Sequence, residues 1–277
     1  MTGNETFTIV AALIAIGGLG ALFGGALSAA SKKFAVQTDE REDAIIKILP
    51  GANCGGCGFQ GCAAYAHAVV SGAAEVSLCT VGGAEIAQEI AEVMGVTAGD
   101  VRRIVAYVRC TGAADSERKY DYIGLEDCFS ALNSIGGGPL ECRFGCIGLG
   151  SCARACPYDA VTIESGVARV NRELCKGCSK CVTACPKRLI TMMDYGAKSF
   201  VGCSSRSKGA VVRKLCGTGC LGDGLCAKNC PGGAISIVDN LAVIDYSKCD
   251  GCGKCAEKCI RNCIEFAPPV SRVNLLP

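Results

Sequence analysis

The cysteines decide what this chain can fold around. They run Cys142-x3-Cys146-x5-Cys152-x3-Cys156-Pro157, then Cys175-x2-Cys178-x2-Cys181-x3-Cys185-Pro186. Three thiolates within seven residues, followed by Cys-Pro, suit one edge of an iron–sulfur cube, whereas a tetrahedral zinc site prefers two separated Cys-x2-Cys pairs. In two-cluster ferredoxins the fourth cysteine of each run crosses over to the other cluster. That rule predicts one [4Fe–4S] cluster on Cys142, Cys146, Cys152 and Cys185, and a second on Cys175, Cys178, Cys181 and Cys156.

The pattern recurs as Cys216-x3-Cys220-x5-Cys226-x3-Cys230-Pro231 and Cys249-x2-Cys252-x2-Cys255-x3-Cys259, each cysteine 74 residues beyond its counterpart. Between the runs, residues 160–163 and 167–170 match 234–237 and 241–244, each pair flanking a turn, so both modules are expected to carry a short hairpin. Crossover assigns Cys216, Cys220, Cys226 and Cys259 to one cluster and Cys249, Cys252, Cys255 and Cys230 to the next. Ile260 stands where proline would follow Cys259, and Cys263 lies close behind. Either cysteine could be the fourth ligand, and the repeat spacing favours Cys259.

With 24 Cys, 37 Gly, no Trp and one His in 277 residues, the chain has no aromatic-rich core and makes small domains held by clusters. Neighbours in a Cys-x2-Cys-x2-Cys run are too close to pair comfortably as disulfides, so metal in a reducing compartment is expected. A formal charge of +2 gives no global electrostatic case for nucleic acid.

Residues 7–30 are 24 consecutive positions without a charge, enough at about 1.5 Å each to cross a hydrocarbon layer of about 30 Å. No Lys or Arg precedes them and Lys32 and Lys33 follow, so a single-pass helix is expected with the cluster domains on the cytoplasmic side, and without a cleaved signal peptide. Small residues at helical spacing (Gly17, Ala21, Gly25, Ala29) suit close packing against other membrane helices.

A charged linker, residues 39–43, leads to Leu49-Pro50-Gly51-Ala52-Asn53, then Cys54-x2-Cys57-x4-Cys62 and Cys79. These four cysteines are expected to hold a self-contained [4Fe–4S] cluster, with tetrahedral zinc as the alternative. Helices are expected over 63–70 and 84–94. His67 reads as a packed helix residue, not a ligand. The segment 49–58, with Gly61-Cys62-Ala63-Ala64-Tyr65-Ala66, behind one membrane helix and ahead of ferredoxin runs, closely resembles the B-subunit family of the Rnf complex. The resemblance implies an electron-transfer subunit of an ion-translocating ferredoxin:NAD+ oxidoreductase, with soluble ferredoxin and other membrane subunits as partners, in a bacterial or archaeal cytoplasmic membrane. Shorter members carry one ferredoxin module. An adaptor polyferredoxin that reduces one enzyme and pumps nothing is the alternative.

The expected architecture is α+β: an anchor (1–34), a small helical [4Fe–4S] domain (35–109) and two tandem two-cluster ferredoxin-like modules (110–199 and 200–277). Twenty cysteines fill five clusters. Cys110, Cys128, Cys203 and Cys263 are left as buried structural thiols, or as part of a sixth cluster, and the 75-residue spacing of Cys128 and Cys203 makes those two the expected equivalents. The last module carries 10 Lys and Arg against 6 Asp and Glu, and residues 35–109 carry 5 against 9. Acidic ferredoxin is therefore expected to dock at Lys254, Lys258 and Arg261.

Overall fold

The computed structural model describes residues 3–33, 39–112 and 116–266. Helix α1 (Gly3–Lys33) forms over the uncharged stretch. Among the described residues no helix is long and apolar enough to cross a membrane.

The charged linker proves to be the start of α2 (Glu40–Ile48): the Asp39 carboxylate accepts from Arg41 N–H, and Glu40, Glu42 and Asp43 occupy the first turn, where the helix dipole favours them. Next come α3 (Cys62–Val70) and α4 (Gly83–Met94), close to the expected bounds. α4 stops at Gly95, which takes the left-handed conformation at φ 66°. The three helices enclose Ile45, Tyr65, Val69 and Ile90. His67 is not packed: its side chain is 72% exposed, with Nδ1 3.2 Å from Glu42 Oε2.

The first ferredoxin module contains β1 (Ile104–Val108), α5 (Cys128–Leu132), α6 (Ser151–Arg154), β2 (Val161–Glu164), β3 (Val167–Val170), α7 (Lys180–Ala184) and β4 (Ile190–Asp194). Alternating apolar residues form the β2–β3 hairpin, and β1, which the sequence puts with the preceding domain, pairs antiparallel with β4. The second module repeats this with β5 (Ser199–Val201), α8 (Gly209–Leu215), α9 (Leu225–Lys228), β6 (Ile235–Val238), β7 (Leu241–Ile244), α10 (Lys254–Glu257) and β8 (Ile264–Phe266), where β5 pairs with β8 and β6 with β7.

Strand register extends the repeat beyond the cysteine runs. Val108 opposes Ile190 and Val201 opposes Ile264, and Ile264 lies 74 residues after Ile190, so β1 and β5 are equivalent with Val201 matching Val108, 93 residues apart. Backbone bonds agree: Arg109 N–H donates to Leu189 O and Gly202 N–H to Cys263 O. The equivalent of Cys203 is therefore Cys110, not Cys128. The offset changes because 31 residues separate Cys110 from Cys142 but only 12 separate Cys203 from Cys216, and the longer connection carries α5 and Cys128.

Close backbone approach explains one glycine pair in the widened runs. A Cβ on Gly148 would lie 2.3 Å from Gly166 O, and on the equivalent Gly222 2.6 Å from Asn240 O, with both glycines at positive φ.

Candidate iron–sulfur sites

Asn53 builds the first site. It sits at φ 44°, and its side-chain oxygen accepts from Cys62 N–H at 2.8 Å, tying the first cysteine loop to the start of α3. Cys54, Cys57, Cys62 and Cys79 then line one cavity of about 330 Å³ including its mouth, together with Gly55, Gly61 and Tyr65. Thr80 Oγ1 donates to Gly177 O at 3.2 Å, which seats this site against the Cys175–Cys178 loop of the first ferredoxin module.

In that module Cys181 lies among Cys175, Cys178 and Cys156, and burial pushes its thiol up to about 12. Burial likewise raises Cys152 to about 12, with Cys146, Cys185, Cys128 and Cys181 as its thiol neighbours. Cys146, Cys152 and Cys185 line a second cavity, about 350 Å³ with its mouth, and the fourth cysteine of that wall is Cys128. Cys142 is not part of it. The insertion holding Cys128 is fastened here by Ser151 Oγ, which donates to Asp127 Oδ1 and accepts from Cys128 N–H.

The second module differs in one residue that matters. Cys220, Cys226, Cys259 and Cys263 line a cavity of about 330 Å³ with its mouth. Cys263 occupies the place of Leu189, so the thiol that Cys128 brings from the insertion comes here from the residue just before β8. Cys263 hydrogen-bonds Cys220 and Cys259, which drives its own thiol strongly upward and lowers theirs, to about 6 and about 5. Cys230 and Cys255 are held by short local structure: Ala234 N–H donates to Cys230 Sγ at 3.3 Å, and Cys255 is buried on α10 beside Cys249. Cys252 is exposed.

Cys142 and Cys216, expected with the Cys146 and Cys220 sets, instead line a fourth cavity with Cys110 and Cys203, about 400 Å³ with its mouth. Among the described residues no three Cys, His, Asp or Glu side chains converge on a point that would hold a single metal ion.

The donor set fits iron–sulfur chemistry. Sulfur is the only strong donor common to these cavities, and backbone N–H groups point at it: Ala106 N–H at Cys175, Leu189 N–H at Cys185 and Ala234 N–H at Cys230. Positive groups accompany the thiols. Lys187 lines the Cys128 cavity, its ammonium pulled below the usual lysine range by burial while Cys142, Cys146 and Cys110 act to raise it. Arg109 and Arg261 each line a cysteine cavity with a buried Nε that has no partner.

Comparison with known proteins agrees with this chemistry. A family described as an Fe-S cluster matches residues 49–81, and families described as 4Fe-4S binding domains match 167–195 and 242–265. The chain is 42% identical over 251 residues, 90% of its length and 75% of the relative's, to the B subunit of the Na(+)-translocating ferredoxin:NAD(+) oxidoreductase complex of Acetobacterium woodii. It is 39% identical over 260 residues, 93% of the chain and 98% of the relative, to the B subunit of the ion-translocating oxidoreductase complex of Methanosarcina acetivorans. The chain belongs to the family of Rnf B subunits. The B subunit of a proton-translocating ferredoxin:NAD(+) oxidoreductase complex from Clostridium ljungdahlii is 40% identical over 91% of the chain and 90% of the relative. The Rhodobacter capsulatus B subunit matches over only 38% of the chain, so similarity across both ferredoxin modules is a property of some Rnf B subunits and not of all.

Proposed function

We propose that this Rnf B subunit is a membrane-anchored iron–sulfur electron carrier that takes electrons from reduced ferredoxin and passes them to other subunits of an ion-translocating complex, where NAD+ is reduced with export of Na+ or H+. The names of its relatives support the overall reaction. Iron–sulfur clusters supply one-electron transfer without bond chemistry, and the chain's own residues decide where that transfer runs. Five thiol sets are read as [4Fe–4S] sites: Cys54, Cys57, Cys62 and Cys79; Cys156, Cys175, Cys178 and Cys181; Cys146, Cys152 and Cys185 with a fourth thiol; Cys220 and Cys226 with Cys259 and Cys263; and Cys230, Cys249, Cys252 and Cys255.

The observation that carries the reading is the contact between Thr80 and Gly177, which brings the first site beside the Cys175–Cys178 loop of the ferredoxin modules and supports reading the sets as one series. Cys54 is among the thiols that raise Cys178, in keeping with that adjacency.

No helix among the described residues meets the length and apolarity of a span on its own, and α1 is read as the single membrane span on the sequence, whose residues 7–30 carry no charge. Its 31 residues measure about 46 Å at the usual rise, and Leu13, Ile14, Leu19, Leu22, Phe23 and Leu27 stand uncovered along it. The basic residues after it, Lys32 and Lys33, support a cytoplasmic side for the cluster domains. The division into anchor, first cluster domain and two ferredoxin modules follows, with β1 assigned to the first module because it pairs with β4.

Ferredoxin is assigned to the last module, where Lys254 and Lys258 are exposed beside the final cysteine run. Arg261 is withdrawn from that docking set: its guanidinium donates to Cys216 O and its Nε is buried.

Deleting residues 1–31 tests the proposal in membranes carrying the complex. The truncated chain is expected in the soluble fraction, still reduced by ferredoxin, while membrane NAD+ reduction falls to background. Full coupled activity with the truncated chain would overturn the anchor.

A further inference from the structure

Cys110, Cys142, Cys203 and Cys216 come from four separate places in the sequence and meet at the seam between the two ferredoxin modules. They are two pairs of equivalents. Cys216 follows Cys142 by the 74-residue repeat, and Cys203 follows Cys110 by the strand register. The hydrogen bonds agree with the second pairing: Cys146 N–H donates to Cys110 Sγ, and Cys220 N–H, its repeat partner, donates to Cys203 Sγ, both at 3.4 Å.

The seam is reciprocal as well. Thr111 Oγ1 donates to Gly202 O at 3.1 Å, and Ser204 Oγ, the equivalent hydroxyl, donates back to Arg109 O, the equivalent carbonyl, at 3.0 Å. A contact in which residue i meets j and the counterpart of j meets the counterpart of i is the mark of a twofold interface. Each module therefore supplies the same two thiols to the same place.

We propose that these four cysteines ligate a sixth [4Fe–4S] cluster that joins the two ferredoxin modules, and that Cys128 and Cys263 complete the neighbouring sites which Cys142 and Cys216 vacate. All 24 cysteines are then used, as six sets of four. The seam resembles the other cysteine cavities in its lining, four cysteines to each. It offers N–H donors to Cys110 and Cys203, a hydroxyl, Thr218 Oγ1, 3.8 Å from Cys216 Sγ, and the unpartnered Nε of Arg109 on its wall. The backbone is shaped to leave the sulfur room, since a Cβ on Gly112 would lie 2.3 Å from Cys216 Sγ.

The seam set adjoins a set on each side, through the Cys110–Cys146 and Cys203–Cys220 hydrogen bonds. Passage across the seam is one-electron reduction of one site with one-electron oxidation of its neighbour; no proton moves and no bond changes. Reduced ferredoxin supplies the electron. This inference rests on reading the other cavities as cluster sites, and the test separates the two.

The full chain, purified and reconstituted without oxygen, is weighed by native mass spectrometry and assayed for iron, sulfide and zinc, beside the double variant Cys110→Ser/Cys203→Ser, which leaves both cysteine runs intact. The expected result is about 24 irons for the wild type and about 20 for the variant, four irons per cube. Electron paramagnetic resonance of the variant should retain the signals of the other clusters. A wild type with about 20 irons, or with one zinc in place of the last four, overturns the sixth cluster and leaves the proposed function standing. Clearly fewer than 20 overturns both. If the variant is insoluble, the wild-type count decides alone, and Cys142→Ser serves as the second variant, expected to lose the same four irons and to keep the Cys146–Cys152–Cys185 cluster.

Discussion

Tyr107 and Phe200 stack on each other, ring centroids 4.9 Å apart and planes inclined by 29°. They hold the same position in β1 and β5, so each module presents its equivalent aromatic to the other. Phe200 is 3% exposed, and Phe200→Ala should destabilise the chain by about 3 kcal/mol, the usual cost of deleting a buried ring. Tyr107→Ala combined with it should cost less than the two separately, by about 1 kcal/mol, the coupling typical of an aromatic pair. Denaturant titration of the clustered protein measures both, and additive losses would mean that the rings do not share a contact.

Cys259 and Cys263 lie with Sγ atoms 3.6 Å apart, and both face Cys220 and Cys226. Cys259→Ala and Cys263→Ala are each expected to damage the same cluster, giving one altered paramagnetic signal and loss of up to four irons. If either variant keeps the wild-type spectrum and iron content, that cysteine is no ligand.

Crossover ligation makes a prediction at a distance. Cys156→Ala should damage the cluster on Cys175, Cys178 and Cys181 and spare the one on Cys146 and Cys152, its nearer neighbours in sequence. Redox-poised paramagnetic spectra identify which signal disappears. Loss confined to the Cys146–Cys152 site would show that each run is ligated independently.

Gly177 stands at φ +70°, and a Cβ there would lie 2.7 Å from Ile104 O and 3.3 Å from Thr80 Cβ. Gly177→Ala should cost about 1–3 kcal/mol in backbone strain and displacement, and loosen the seating of the first cluster domain. A lowered midpoint in urea, with slower reduction of the first cluster through the modules, is the expected outcome. An unchanged midpoint would mean that the loop yields freely.

Lys254 and Lys258 are exposed, whereas Arg261 is tied to Cys216 O. Lys254→Glu/Lys258→Glu should slow reduction by ferredoxin severalfold at low salt and flatten its salt dependence, because steering acts on association. Reduction by dithionite should not change. Equal ferredoxin rates at low salt would move the docking surface elsewhere, first to Lys176, Lys180 and Arg188.

The hairpins and the repeat were legible because period-2 apolar patterns and cysteine spacing are local signals. Helices α3 and α4 were legible for the same reason. α2 was missed because its charged first turn looks like a linker until Asp39 is seen to cap it. The partners of Cys142 and Cys216 were hidden for a different reason: they depend on β1 and β5, short strands whose mates lie 82 and 63 residues away, measured from Val108 to Ile190 and from Val201 to Ile264. Such pairing is settled by tertiary packing, not by local pattern. The 19-residue difference between the two connections broke the fixed offset and made Cys128 look like the counterpart of Cys203. Arg261 was misjudged because a basic residue in a sequence carries no sign of the carbonyl it will reach.

A seam assembled from matching halves has an ancestry written into it. One module alone owns two of the four thiols, and could finish the set only against a copy of itself, as a homodimer whose join depends on protein concentration. Linking two copies head to tail makes that encounter intramolecular, at an effective concentration on the order of millimolar for a short tether. Dilution then ceases to matter. Once fused, the halves were also free to diverge, and the fourth thiol of one site arriving on an insertion while the other arrives just ahead of a strand is what such freedom leaves behind.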